Sequence, residues 1–69
     1  MRIQDFEPYL QDLEATGFYP QGSLNVEQDT MGGNYYYLTY NGNTIWNSYT
    51  KRELLDRILF LTKAINITK

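Results

Sequence analysis

The stretch YYYLTYNGNTIW, residues 35–46, decides how this 69-residue chain folds. Two β-rich runs, Tyr35 to Tyr40 and Asn43 to Tyr49, are separated by Asn41-Gly42. Asn-Gly in that setting is the strongest short-range hairpin signal, because a type I′ turn needs positive φ at both central residues. A two-residue turn sets the register by counting outward: Tyr40 faces Asn43, Leu38 faces Ile45 and Tyr37 faces Trp46. Side chains alternate along a strand. One face therefore carries Tyr36, Leu38, Tyr40, Asn43, Ile45 and Asn47, and the other carries Tyr35, Tyr37, Thr39, Thr44, Trp46 and Ser48. The aliphatic pair, Leu38 and Ile45, marks the first face as the one expected to be buried. Tyr35, Tyr37 and Trp46 are then left together on the outer face.

The segments on either side supply the rest of the domain. Leu24 and Val26 alternate with Ser23, Asn25 and Glu27, which predicts a strand over about 23–28, and Thr30 to Asn34 reads as the turn that follows it. Beyond the hairpin, Thr50-Lys51-Arg52-Glu53 has the form of a capping box, with Tyr49 placed to staple onto Leu54. Leu54, Ile58, Leu61 and Ile65 then form an apolar stripe, widened by Leu55 and Leu59, so a helix is expected over about 51–66. Near the amino end, Ile3, Phe6, Leu10 and Leu13 recur at helical spacing, predicting a helix over about 5–16. Asp5 as its N-cap would leave Pro8 in the first turn, where proline removes no intrahelical bond. Gly17 suits the left-handed position after the helix, with Phe18 expected to fold back on Leu13. The order is α-β-β-β-α. Residues 1–69 thus read as one small α+β domain, a three-stranded antiparallel meander with both helices packed on one face.

Composition limits the chemistry. The chain has no Cys and no His, which removes thiolate nucleophiles, imidazole bases, disulfides and the usual zinc sites. Its carboxylates include no evident pair for acid–base work and no dense D-x-D-x-D loop for a hard cation. Gly32-Gly33 is a turn signal and not a phosphate cradle. No enzyme, cofactor, metal or small-molecule pocket is therefore expected. The amino terminus shows no signal-peptide pattern, and the longest apolar run, Ile58 to Leu61, is too short for a membrane span. A cytoplasmic protein is the expectation. The net charge of −2 is unevenly spread: residues 1–50 sum to −5 and residues 51–69 to +3. Pairing between the two halves across the folded domain would account for that split.

What the chemistry leaves is surface. Tyr and Trp are enriched at binding hot spots, so Tyr35, Tyr37 and Trp46 are candidate partner contacts, although cross-strand aromatic pairs also stabilise sheets on their own account. Phe60 falls on the polar arc of the last helix, among Glu53, Asp56, Arg57 and Lys63, which makes it a candidate for a dimer contact or a partner's groove. Lys51 and Arg52 lie in a helix's first turn, where cations oppose the macrodipole. The acids of the first helix, or an anion, would compensate them there.

The element order is similar to that of the double-stranded RNA-binding domain. Thr50-Lys51-Arg52 stands where that family places bases at the start of its second helix. The resemblance implies phosphate contacts at Lys51 and Arg52. The next basic position of the family falls at or near Leu55, and Thr30 to Asn34 lacks its Gly-Pro-x-His pattern. With an acidic chain besides, nucleic acid ranks below another protein as the expected partner. The expected function is a small non-enzymatic protein-binding module, an adaptor or an inhibitor of a larger protein. Its size and acidity suit a phage or mobile-element product. Nucleic-acid binding and a structural homodimer are the alternatives.

Overall fold

Asn41 and Gly42 take φ of 50° and 84°, the left-handed values a type I′ turn requires. They fold β2 (Tyr36–Tyr40) back on β3 (Asn43–Ser48). The computed structural model describes residues 2–29 and 35–68. The expected turn at Thr30 to Asn34 lies outside them. The other strand, β1 (Leu24–Gln28), pairs antiparallel with β2, giving a meander of order β1-β2-β3. A 3-10 turn (Ile3–Phe6) leads into α1 (Glu7–Ala15), and α2 (Lys51–Thr68) closes the chain. Among the described residues no helix is long and apolar enough to cross a membrane.

The hairpin register holds for only two pairs. Tyr40 faces Asn43 and Thr39 faces Thr44, but Leu38 then faces Trp46 and not Ile45. Ile45 is the extra residue of a β-bulge, a two-against-one insertion that bends the strand and re-aims the side chains beyond it. The face assignments of β3 beyond the bulge are inverted as a result. Trp46 and Ser48 lie on the side of Leu38 and Tyr36, while Asn47 takes the outer place opposite Tyr37. The interrupted ladder is offset locally: the indole Nε1–H donates to the Ser48 hydroxyl at 3.1 Å, and a guanidinium from α2 covers the ring.

The helices cover the face that carries Leu38. Phe6, Leu10 and Leu13 come from the first helical segment, Leu24, Val26, Tyr36 and Leu38 from the sheet, and Leu54 and Ile58 from α2. These side chains form one buried cluster. Of the predicted α2 stripe, Leu61 and Ile65 are half-buried against it, and Leu59 is exposed.

Three expectations about the helix ends are corrected. The amino-terminal helical segment begins at Ile3 and not at Asp5. Asp5 sits inside the turn and reaches back, its carboxylate accepting the Arg2 backbone N–H at 2.8 Å, which satisfies an orphan donor from within. Pro8 falls in the first turn of α1, where its missing donor costs nothing.

At the other end of α1, Gly17 takes φ of 85° and donates to the Glu14 carbonyl at 3.0 Å. Phe18 does not fold back on Leu13 and is 67% exposed. The buried Thr16 hydroxyl donates to the Leu13 carbonyl at 2.6 Å, taking the acceptor that Phe18 N–H would otherwise use. Tyr19 goes to the core instead, edge-on to Tyr40 at 5.4 Å between centroids.

At the start of α2 the Thr50 hydroxyl accepts the Glu53 N–H at 3.1 Å, as the capping pattern predicts. The staple does not form. Tyr49 is 71% exposed and turns to the outer sheet face, where a parallel ring is available.

Candidate interaction surfaces

The predicted aromatic platform divides into two patches, one on each side of the sheet. Tyr35 and Tyr37 stay outside, their rings 5.2 Å apart and tilted by 41°. The place assigned to Trp46 is taken by Tyr49, which stacks on Tyr35 at 4.9 Å with the planes 5° apart. Tyr49 follows Asn47 by two residues and so shares its outward side. The stack joins the entrance of β2 to the end of β3, so much of this patch serves to hold the two strand ends together.

Desolvation, then the charge of Asp29 and the neighbouring phenol of Tyr35, push the Tyr37 hydroxyl above its ordinary value of 10.0. A raised folded-state pKa means that the neutral phenol is the form the fold favours. Its contribution to stability is complete below about pH 10 and is lost as the pH rises through the folded value. In an alkaline absorbance titration, the difference between the chain and Tyr37→Phe is expected to show a phenolate midpoint above 10. A midpoint at or below 10 contradicts the placement of Tyr37 beside Asp29.

The second patch lies on the helix side, along the edge strand. Trp46 is 40% exposed, and the Arg57 guanidinium carbon sits 4.2 Å from its ring centroid. The same carbon is 5.5 Å from the ring of Phe60, which is 59% exposed. Arg57 therefore meets two rings, one from β3 and one from the next turn of its own helix. Such cation–π contacts contribute roughly 0.5–2 kcal/mol each. The buried Nε of Arg57 has no hydrogen-bond acceptor. The bulge at Ile45 makes this arrangement: with the regular register, Trp46 would stand on the far side of the sheet from α2.

The structure thus brings together Trp46 and Phe60 and separates both from Tyr35 and Tyr37. Arg57 and Tyr49 were missed as contact candidates. Arg57 stands three residues before Phe60, a spacing that places them side by side on a helix, so half of its setting was legible.

Lys51 and Arg52 are engaged locally. The Lys51 ammonium lies 5.6 Å from the Tyr36 ring centroid, and Arg52 pairs with Asp56 of its own helix at 3.7 Å. Arg52 thus meets an acid of α2 and not one of α1. Both partners of that pair are well exposed, so it contributes little.

A depression of about 320 Å³ lies where α1 meets the 20–22 turn, lined by Gln11, Glu14, Ala15 and Gln21. Its one carboxylate, Glu14, accepts the Leu24 backbone N–H at 3.0 Å and so tethers β1 to α1.

Compared with protein-family models, with curated proteins and with solved structures, the chain finds no match. A functional reading therefore rests on the geometry alone.

Proposed function

We propose that this chain is a small non-enzymatic protein-binding module, an adaptor or inhibitor, that docks through the face built by Trp46, Arg57 and Phe60. The observation that carries the reading is the guanidinium in contact with two exposed rings. Trp and Arg are among the residues that dominate binding hot spots, and a hot spot gains from being rigid before contact. Trp46 is fixed on one edge by Ser48 and on its face by Arg57, so little side-chain freedom is left to lose. The outer tyrosines fit less well, because Tyr35 and Tyr49 already satisfy each other.

The test separates the two sides of the sheet. Wild type, Trp46→Ala/Phe60→Ala and Tyr35→Ala/Tyr49→Ala are immobilised and exposed to host lysate, and the captured proteins are identified by mass spectrometry. Circular dichroism melts establish that each variant is folded. The expected result is a partner whose affinity falls about 100-fold or more in the Trp46/Phe60 variant, as losing two hot-spot rings implies, and is largely kept in the tyrosine variant. Capture that survives in the folded Trp46/Phe60 variant overturns the reading. Light scattering that shows a doubled mass for wild type, and the single mass for Phe60→Glu, identifies a second copy as the occupant.

A further inference from the structure

Arg57 has an obvious partner that it does not use. Glu53 stands four residues before it on α2, the spacing and order that most favour an intrahelical ion pair. Asp56 of this helix pairs with Arg52, and the Arg57 guanidinium instead lies 4.2 Å from the Trp46 centroid and 5.5 Å from that of Phe60. Its Nε is buried without an acceptor, and no carboxylate among the described residues pairs with it.

That Nε is closed off from solvent, whereas the terminal Nη1 and Nη2 groups are not among the buried unpaired atoms and make no ion pair with a described residue, so the edge they form is the one left for a partner. A planar edge of N–H donors matches a carboxylate, which can accept two of them in parallel. Two rings close by lower the local dielectric and strengthen such a pair relative to one in open water.

We infer that the Trp46–Arg57–Phe60 face binds a protein segment presenting a carboxylate beside an apolar side chain. Arg57 takes the carboxylate, and the rings of Trp46 and Phe60 take the apolar neighbour. This inference rests on that face being the docking surface. A polyphosphate suits the site less well. Its affinity grows with the number of bases that meet it, whereas here one cation is flanked on its own helix by Glu53 and Asp56, both exposed, in a chain of net charge −2.

The experiment uses a random linear peptide library displayed on phage, selected on the wild-type chain with Trp46→Ala/Phe60→Ala as counter-selection. The enriched peptide is then synthesised with its acid intact and with that acid changed to the amide. Each form is titrated into wild type and Arg57→Gln by calorimetry, after melts confirm that the variant is folded.

The expected result is enrichment of peptides with Asp or Glu next to an apolar residue. Amidation and Arg57→Gln should each weaken binding about tenfold or more, with little further loss when the two are combined. Arg57→Lys should recover only part of the affinity, because an ammonium cannot offer the paired edge. Enriched peptides without an acid, or equal affinity for Arg57→Gln, overturn the carboxylate inference and leave the docking face standing. No enrichment on wild type over the counter-selecting variant removes the face itself. A duplex RNA that binds wild type with steep salt dependence, and is lost in Arg57→Gln, reassigns the site to phosphate.

Discussion

Phe6→Ala is expected to lower the unfolding free energy by about 3–5 kcal/mol, the usual cost of truncating a fully buried phenylalanine. Phe6 is fully buried at the junction of the 3-10 turn and α1, in one cluster with Leu38, Leu54 and Ile58. Its ring therefore touches both layers of the domain. A 69-residue domain has about 3–10 kcal/mol of stability in total, taken from the usual range per residue. The substitution thus removes a large part of it, and all of it at the low end. The midpoint of a circular dichroism melt should fall by at least about 12 °C, given about 4–8 °C per kcal/mol for domains of this size. A midpoint within a few degrees of wild type would mean that the amino-terminal turn is not docked where the structure puts it.

The second prediction compares Leu38 with Ile45. On the regular hairpin register these two face each other and share the core, so truncating either should cost alike. The bulge makes them unequal. Leu38 is fully buried in the central strand, while Ile45 is 40% exposed on the edge strand and has no ladder partner. Leu38→Ala should therefore cost about 2–5 kcal/mol, and Ile45→Ala no more than about 1 kcal/mol. Urea denaturation of the two variants measures both. Equal losses would restore the regular register and return Trp46 to the outer face.

Much of the fold was legible because its signals are local. The type I′ turn at Asn41-Gly42, the Gly17 stop, the Thr50 cap and the Leu54/Ile58 stripe each depend on a few neighbouring residues, and each is present. The errors have a common origin in competition between residues that all have a plausible claim. Phe18 and Tyr19 are adjacent rings of similar size, and Thr16 decides between them by taking the Leu13 carbonyl. Asp5 can cap from outside a helix or from within its first turn, and the gain of packing Ile3 against the core favours the second. Tyr49 can staple onto Leu54 or stack on Tyr35, and the stack is what forms.

The candidate site was legible residue by residue but not as an arrangement. Trp46 and Phe60 were both singled out from the chain, yet as members of different surfaces. What unites them is Arg57, whose reach to Trp46 crosses from α2 to β3 and leaves no trace in local spacing.

The sequence by itself determined the α-β-β-β-α order, the hairpin turn, the helix that follows it and the face of Leu38 as the buried one. Tertiary structure alone decided which side of the sheet receives Trp46. Alternation along a strand predicts faces only while the pairing stays one against one. Whether a bulge interrupts it depends on the gain at a distance, here the contact of the indole with a guanidinium of α2, set against one interrupted ladder position. That balance is struck between elements distant in the chain, and it moved the candidate docking surface from the outer sheet face to the edge where β3 meets α2.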